Sequence, residues 1–312
     1  LTIYLTILAL GSVMMGNLAV SKLISNWFDK NAGKALGIAA IGISFSGVAL
    51  PLIVDPLLDL VGWRNVYVIF ASIVLFFILP LIFITVIDDP KTVNQVKDGI
   101  KIDKEEEPLP QEITATDLIS QKVFWMISLA FAFQFMSMMG VLTFLPVHAS
   151  KMGLEETWHL LGLPVKQYVF AYSLAAFGGV LGKILFGYLI DTMKAAYPSM
   201  IAMFLQAIGI FGITYFNEPN IFLLSAFIFG LGFGAATPLM TTCYLRIFGA
   251  HNLGKARGIA SPIVSPLQPI GVLVTSILIG FQDTYFLAFN IMGCLALVAV
   301  ILASQIHEPK KI

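Results

Sequence analysis

The sequence predicts an all-α integral membrane protein, a bundle of nine transmembrane helices, and three observations carry that reading. First, the composition leaves too little polar surface to cover a globule in water. Of 312 residues 58% are hydrophobic and only 12% charged, with mean hydropathy +0.90, whereas a soluble domain carries about 25% charged residues. Second, apolar stretches of about 20 residues, the length that crosses a bilayer core, recur along the chain. Third, one phrase occurs twice. Gly33-Lys34-Ala35-Leu36-Gly37-Ile38-Ala39 returns as Gly254-Lys255-Ala256-Arg257-Gly258-Ile259-Ala260, with Phe28 and Phe248 ahead of the two copies. So distant a repeat points to duplication of a large unit rather than to a solenoid, and two related halves in an apolar chain are the plan of a transporter.

The nine spans are read at Leu1–Ser25, Ala35–Val61, Val66–Ile87, Val123–Pro146, Tyr168–Ile190, Pro198–Phe216, Ile221–Leu245, Ile259–Gly280 and Tyr285–Ile306. Gln206 makes the sixth the weakest. Between the third and fourth lies Asp88–Lys122, with Pro90, Pro108, Pro110 and Glu105-Glu106-Glu107. It reads as a solvated linker with room for one short amphipathic helix. The loop Val147–Gln167 carries Trp158, which suits a membrane interface.

Basic residues orient the spans. With Asn26–Lys34 cytoplasmic, that face holds Lys30, Lys34, the linker lysines, Lys194, Arg246, Lys255, Arg257, Lys310 and Lys311, against Arg64, Lys151 and Lys166 outside. Cytoplasmic loops carry the excess of Lys and Arg, so the central loop and C-terminus are expected in the cytoplasm of a plasma (inner) membrane protein. The first phrase opens span two and the second opens span eight, so the duplicated unit has six spans. This predicts residues 1–87 as the remainder of an N-terminal six-helix bundle, 88–122 as the linker and 123–312 as the C-terminal six-helix bundle. On this reading the nine spans are the last nine of twelve.

Local patterns then carry a resemblance. Trp27-Phe28-Asp29-Lys30 running into the first phrase, followed by Gly62-Trp63-Arg64-Asn65-Val66-Tyr67, resembles the fourth-to-sixth helix region of the oxalate/formate antiporter and monocarboxylate carrier branch of the major facilitator superfamily. Gly187-x-x-x-Asp191 is similar to the superfamily's loop signature, and Asp283-Thr284-Tyr285 with Ala288-Phe289 to that branch's entry to helix twelve. Thr192, Met193, Lys194 and Ala195 depart from the Gly-Arg and further basic residues that usually follow the aspartate, which weakens the gating role of that loop.

Four charged residues fall inside the spans: Lys22, Asp55, Asp59 and Lys183. An ionisable group at a helix centre costs about 2.5–3.5 kcal/mol on insertion scales, so it faces a cavity or a partner. Lys183 lies eight residues before Asp191, about 12 Å deep at 1.5 Å per residue. Gly178, Gly179, Gly182 and Gly187 around it allow close approach. By the resemblance, Lys183 is a substrate-anion contact; an ion pair that fixes packing or gates the cavity is the alternative. Asp55 and Asp59 share a helix face. Asp55, before Pro56, is the proton-coupling candidate, a wetted helix end being the plainer reading. Lys22 reads as a snorkelling lysine.

Bending points mark the remaining candidates. The eighth span carries Pro262, Pro266 and Pro269 with Ser261, Ser265 and Gln268, and the seventh has Gly230, Gly232, Gly234 and Pro238. Each proline frees a backbone carbonyl, tolerated where it lines a cavity or meets a polar side chain. Gln134, Ser137 and Gln268 are therefore candidate substrate-binding residues beside Lys183, with close helix packing as the rival explanation for the glycines. Lys34, Lys255, Arg257 and Asp191 are the gating candidates.

Other chemistry finds no support. Cys243 and Cys294 make no disulfide framework, the histidines have no ligand spacing, Gly230-x-Gly232-x-Gly234 sits in a membrane helix, and the net charge is +0. No catalysis, cofactor, metal or nucleic-acid partner is expected. The expectation is a monomeric secondary carrier in a lipid bilayer, moving a small solute, a mono- or dicarboxylate anion, by proton symport or anion antiport. The alternatives are a proton-driven exporter of neutral or amphipathic compounds and a transporter-derived membrane sensor.

Overall fold

Apolar runs without water must satisfy their backbone internally, and the described residues do so almost wholly as α-helix. A computed structural model describes residues 11, 23–24, 27, 32–88, 90–95, 113–160, 163–282 and 284–307. Lys22 lies outside them, as do the side chains of Lys34 and Asp191. The chain forms two compact units, Leu1–Ile43 with Leu60–Pro108, and Ser44–Asp59 with Leu109–Ile312.

Helix α1 (Ala32–Ile73) contributes to both units. It contains Gly62 at φ 74°, ψ 159°, a non-helical conformation that costs glycine little, so one continuous assignment holds two helices. In the first unit it runs through a π-helical turn, Val74–Ile78, into α2 (Leu79–Thr85). The Trp27 indole donates to the Ile87 carbonyl at 2.7 Å. Leu60, Phe83 and Ile84 are about four-fifths exposed, as suits helices whose solvent is lipid.

The second unit continues with α3 (Ala115–Ser120) from the linker, then α4 (Lys122–Leu142), α5 (Leu145–Lys151), strands β1 (Thr157–Leu160) and β2 (Leu163–Lys166), α6 (Gln167–Thr192), α7 (Ala196–Tyr215), α8 (Pro219–Gly234), α9 (Ala236–Val264), α10 (Leu267–Gln282) and α11 (Phe286–Ala303). Between Lys122 and Ala303 this gives six stretches long and apolar enough to cross a membrane. The antiparallel hairpin pairs Thr157 with Lys166 and Leu160 with Leu163. It adds a small sheet to the loop between α5 and α6, which the sequence had marked only by Trp158.

Prolines set two of the breaks. Pro238 has no amide for the Gly234 carbonyl, and α8 gives way to α9 there. Pro266 and Pro269 leave the Pro262 and Ser265 carbonyls without their helical amides, and α9 passes to α10 at Ser265–Pro266. A second positive φ, 77° at Gly249, turns the chain between the seventh and eighth spans inside α9.

Helix pairing is regular. α6 packs on α8, α7 on α8, α7 on α11, α4 on α10 and α4 on α11. The pattern is unchanged when the first three spans are exchanged for the last three, as a nested three-plus-three repeat requires. Glycines bring the crossings to backbone contact. A Cβ at Gly178, Gly182 or Gly230 would strike the Phe227, Leu231 or Ala175 carbonyl, and one at Gly271 the Met136 carbonyl. Lipid offers no hydrophobic drive between helices, so close backbone packing supplies much of the association. Phe124, Phe131, Phe186, Phe222, Phe229, Tyr244 and Phe289 fill the core.

Candidate functional site

Among the described residues of the second unit, four polar groupings stand out, each positioned by a different local device. The first is the bundle interior. Gln134 and Ser137 stand on α4 one turn apart, both fully buried, and Gln206 on α7 joins them. Gln206 Nε2 donates to the Gln134 carbonyl at 3.0 Å and to Ser137 Oγ at 3.2 Å. Gln134 Nε2 donates to the Gly232 carbonyl at 3.3 Å. Gly232 permits this because a side chain there would collide with the Gln206 amide and the Ala202 carbonyl. The two amide oxygens, Gln134 Oε1 and Gln206 Oε1, accept no hydrogen bond among the described residues. Each unmade bond of this kind costs about 1–3 kcal/mol. Gln206, read from the sequence only as a flaw in a span, is what joins the predicted pair.

The second place is a cleft of about 610 Å³. One wall is the α1 face bearing Ser46, Gly47, Leu50, Pro51, Val54, Asp55 and Leu58. The other is Pro146 with Tyr168, Val169 and Tyr172 of α6. Asp55 Oδ2 accepts the Lys166 amide at 3.4 Å, and Lys166 Nζ lies 3.9 Å from Asp59 Oδ2. Asp55 and Asp59 thus meet one residue, at the start of α6. The neighbouring Tyr168 and then the two aspartates raise the Lys166 pKa above the usual lysine value.

Lys183 extends the same wall. Tyr172, Ala176 and Lys183 are four and seven residues apart, so at 3.6 residues per turn they fall on one stripe of α6. A Cβ at Gly47 would stand 3.2 Å from the Ala176 Cβ, which puts that stripe against α1. Lys183 is half-buried and about 16 Å along the axis from Tyr172. Its neighbour Gly182 lies against the Leu231 carbonyl. Gln268 belongs elsewhere, half-buried in the first turn of α10 with its amide on the Ser265 carbonyl at 3.3 Å.

The other two places flank the bundle ends. At one, Asn252 and Lys255, just ahead of and within the second phrase, hold Ile113. Asn252 Oδ1 accepts the Ile113 amide at 3.0 Å, and Lys255 Nζ donates to the Ile113 carbonyl at 3.0 Å. Arg257 is exposed. Arg246 caps α6, its Nη1 donating to the Met193 carbonyl at 2.8 Å and its Nη2 to that of Ile190. This arginine, counted from the sequence only as a cytoplasmic charge, supplies a cation to the C-terminus of α6.

At the other end α5 sets His148 against the Ile213 carbonyl, 3.1 Å from Nε2. The ring packs on Tyr285, Phe289 and Phe222 with centroids 4.9, 5.1 and 5.8 Å away. Burial pushes its pKa below the ordinary histidine value; the Ile213 carbonyl opposes the shift and Lys151 adds to it. Among the described residues no cluster of three metal-ligating side chains occurs.

Relatives of the chain are named as transporters. The chain is 23% identical over 247 residues to "MFS-type transporter 1" of Ophiocordyceps sp. (strain BCC 1869), covering 78% of this chain and 49% of that protein. It is 26% identical over 259 residues to "Fujikurins efflux protein" of Gibberella fujikuroi, covering 80% of this chain and 50% of that one. The chain thus spans about half the length of these relatives. Residues 1–267 match the profile described as Major Facilitator Superfamily. With membrane-length helices among the described residues and a nested repeat in their pairing, the chain belongs to the Major Facilitator Superfamily.

Proposed function

We propose that this chain serves secondary transport of a small organic solute, a mono- or dicarboxylate, by alternating access in the plasma membrane. The observation that carries the reading is Lys183, a cation half-buried on the stripe of α6 that bears Tyr172 of the cleft. In a site of lowered dielectric such a charge attracts a carboxylate far more strongly than in water. In this reading residues 1–87 and 123–312 belong to two helical bundles joined by 88–122, with the linker and C-terminus cytoplasmic. Asp55 carries the coupled proton. Gln134, Ser137 and Gln206 hold the bundle in register, and Asp191, Lys34, Lys255 and Arg257 act at the cytoplasmic mouth. The resemblance to oxalate/formate antiporters and monocarboxylate carriers supports the anion class.

A second reading is export of amphipathic compounds. The mostly apolar cleft supports it, as does similarity to a protein named for efflux. Lys183→Gln separates the two. In proteoliposomes, uptake of labelled small carboxylates should be lost while the amount of folded protein is unchanged. Undiminished carboxylate uptake overturns the anion reading, and retained export of an amphipathic dye in the same variant supports the second.

A further inference from the structure

His148 is a buried titratable group, 6% exposed, to which the transport reading gives no task. It stands on α5, a helix of seven residues that also carries Pro146, part of one wall of the cleft. A helix so short is marginal by itself, so its contacts with other elements hold it in place. His148 supplies contacts to three of them. Nε2 lies 3.1 Å from the Ile213 carbonyl of α7, and since a carbonyl only accepts, Nε2 carries the proton. The ring packs on Phe222 of α8, on Tyr285 at the start of α11 and on Phe289 within it.

A second proton, at Nδ1, would bring a charge into this apolar niche. Aromatic faces attract a cation, but the Tyr285 ring already bears the Lys151 ammonium at 5.3 Å. The carboxylates of the neighbouring segments are engaged elsewhere. Glu155 accepts from Ser150 Oγ at 2.7 Å, Glu156 from Gln167 Nε2 at 3.2 Å and Glu218 from the Ile221 amide at 2.9 Å. Loss of water outweighs the help of the Ile213 carbonyl, and Lys151 adds to the cost, so the docked ring favours the neutral form. Swung away from the rings, the imidazole meets water and takes its proton at the ordinary histidine value.

We infer that α5 is a proton-operated catch: neutral His148 pins it across α7, α8 and α11, and protonation frees it, carrying Pro146 out of the cleft wall. Linkage sets the size of the effect. With the proton excluded from the docked ring and accepted by the freed ring near 6.5, the freed fraction grows about tenfold between pH 7.5 and 5.5. No group assigned to the solute takes part, so failure of the catch leaves the transport reading as it stands.

Hydrogen exchange on the full chain in lipid nanodiscs, read by mass spectrometry and corrected for intrinsic rate, tests it. From pH 7.5 to 5.5 the protection of residues 147–153 should fall by up to about tenfold, while the Arg246 end of α9 keeps its own. His148→Gln, neutral at both pH values, should abolish the fall. Hydroxyl-radical labelling should reach Leu145, fully buried in the docked helix, at pH 5.5 and not at 7.5. Equal protection at the two pH values overturns the inference. So does a fall that survives in His148→Gln, or a Leu145 that stays unlabelled at pH 5.5. Should His148→Gln not fold, His148→Leu decides by the same criterion.

Discussion

Asn252 Oδ1 accepts the Ile113 amide at 3.0 Å across 139 residues of sequence. Lys255 takes the carbonyl of the same residue, so Asn252, two residues ahead of the repeated phrase, and Lys255 within it hold both backbone polar groups of Ile113. Thr114 then caps α3 by accepting the Asp117 amide at 3.2 Å. Asn252→Ala removes the acceptor and leaves a part-buried amide unpaired. A net hydrogen bond is worth about 0.5–1.5 kcal/mol, so amide exchange at Ile113 should quicken by up to about tenfold. Hydrogen exchange read by mass spectrometry checks this. An unchanged rate at Ile113 means the grip does not hold the linker.

His148 makes stability depend on pH. Its folded pKa is depressed, so the unfolded chain binds the proton more readily. Stability is then full above the ordinary histidine value of 6.5 and falls as pH drops through it. The groups facing the ring are Lys151 of α5, Ile213 of α7, Phe222 of α8 and Tyr285 and Phe289 of α11. Lys151 lies over the Tyr285 ring at 5.3 Å. Thermal unfolding in detergent should show a lower midpoint at pH 5.5 than at 7.5, and His148→Gln should lessen the difference.

Gly230 meets the Ala175 carbonyl where α8 crosses α6. Gly230→Ala must drive the helices apart, at about 1–3 kcal/mol by analogy with overpacked cores. The midpoint of thermal unfolding should fall by several degrees. At Gly187, where an added Cβ meets nothing within 4 Å, the same change should cost little.

Arg246 covers the carbonyls at the end of α6. Arg246→Met should destabilise by about 1–2 kcal/mol, since one charged donor serves two carbonyls at a helix C-terminus. Arg246→Lys should recover only part, because an ammonium lacks the planar fork. A denaturant series on the purified variants measures both.

The spans were legible because hydropathy is local. Lys122–Leu142, Ala196–Tyr215 and Phe286–Ala303 lie close to the stretches read at Val123–Pro146, Pro198–Phe216 and Tyr285–Ile306. The proline breaks were legible for the same reason, a missing amide being a property of one residue. Partnerships were not. Gln206 reads as a defect until α7 is laid against α4, and Arg246 as a topological charge until its reach to Ile190 and Met193 is known. The hairpin at Thr157–Lys166 was missed because Thr-Trp-His-Leu and Leu-Pro-Val-Lys are too short to show alternation within an apolar chain. Asp55 and Lys183 stood out because ionisable groups in a membrane helix are rare.

Where α6 crosses α8 and α4 crosses α10, glycine leaves main chain resting on main chain. A joint without a cushion of side chains has no layer in which to shear, so these crossings act as welds. Bending is then left to interruptions such as the one at Ser265–Pro266, whose residues are exposed.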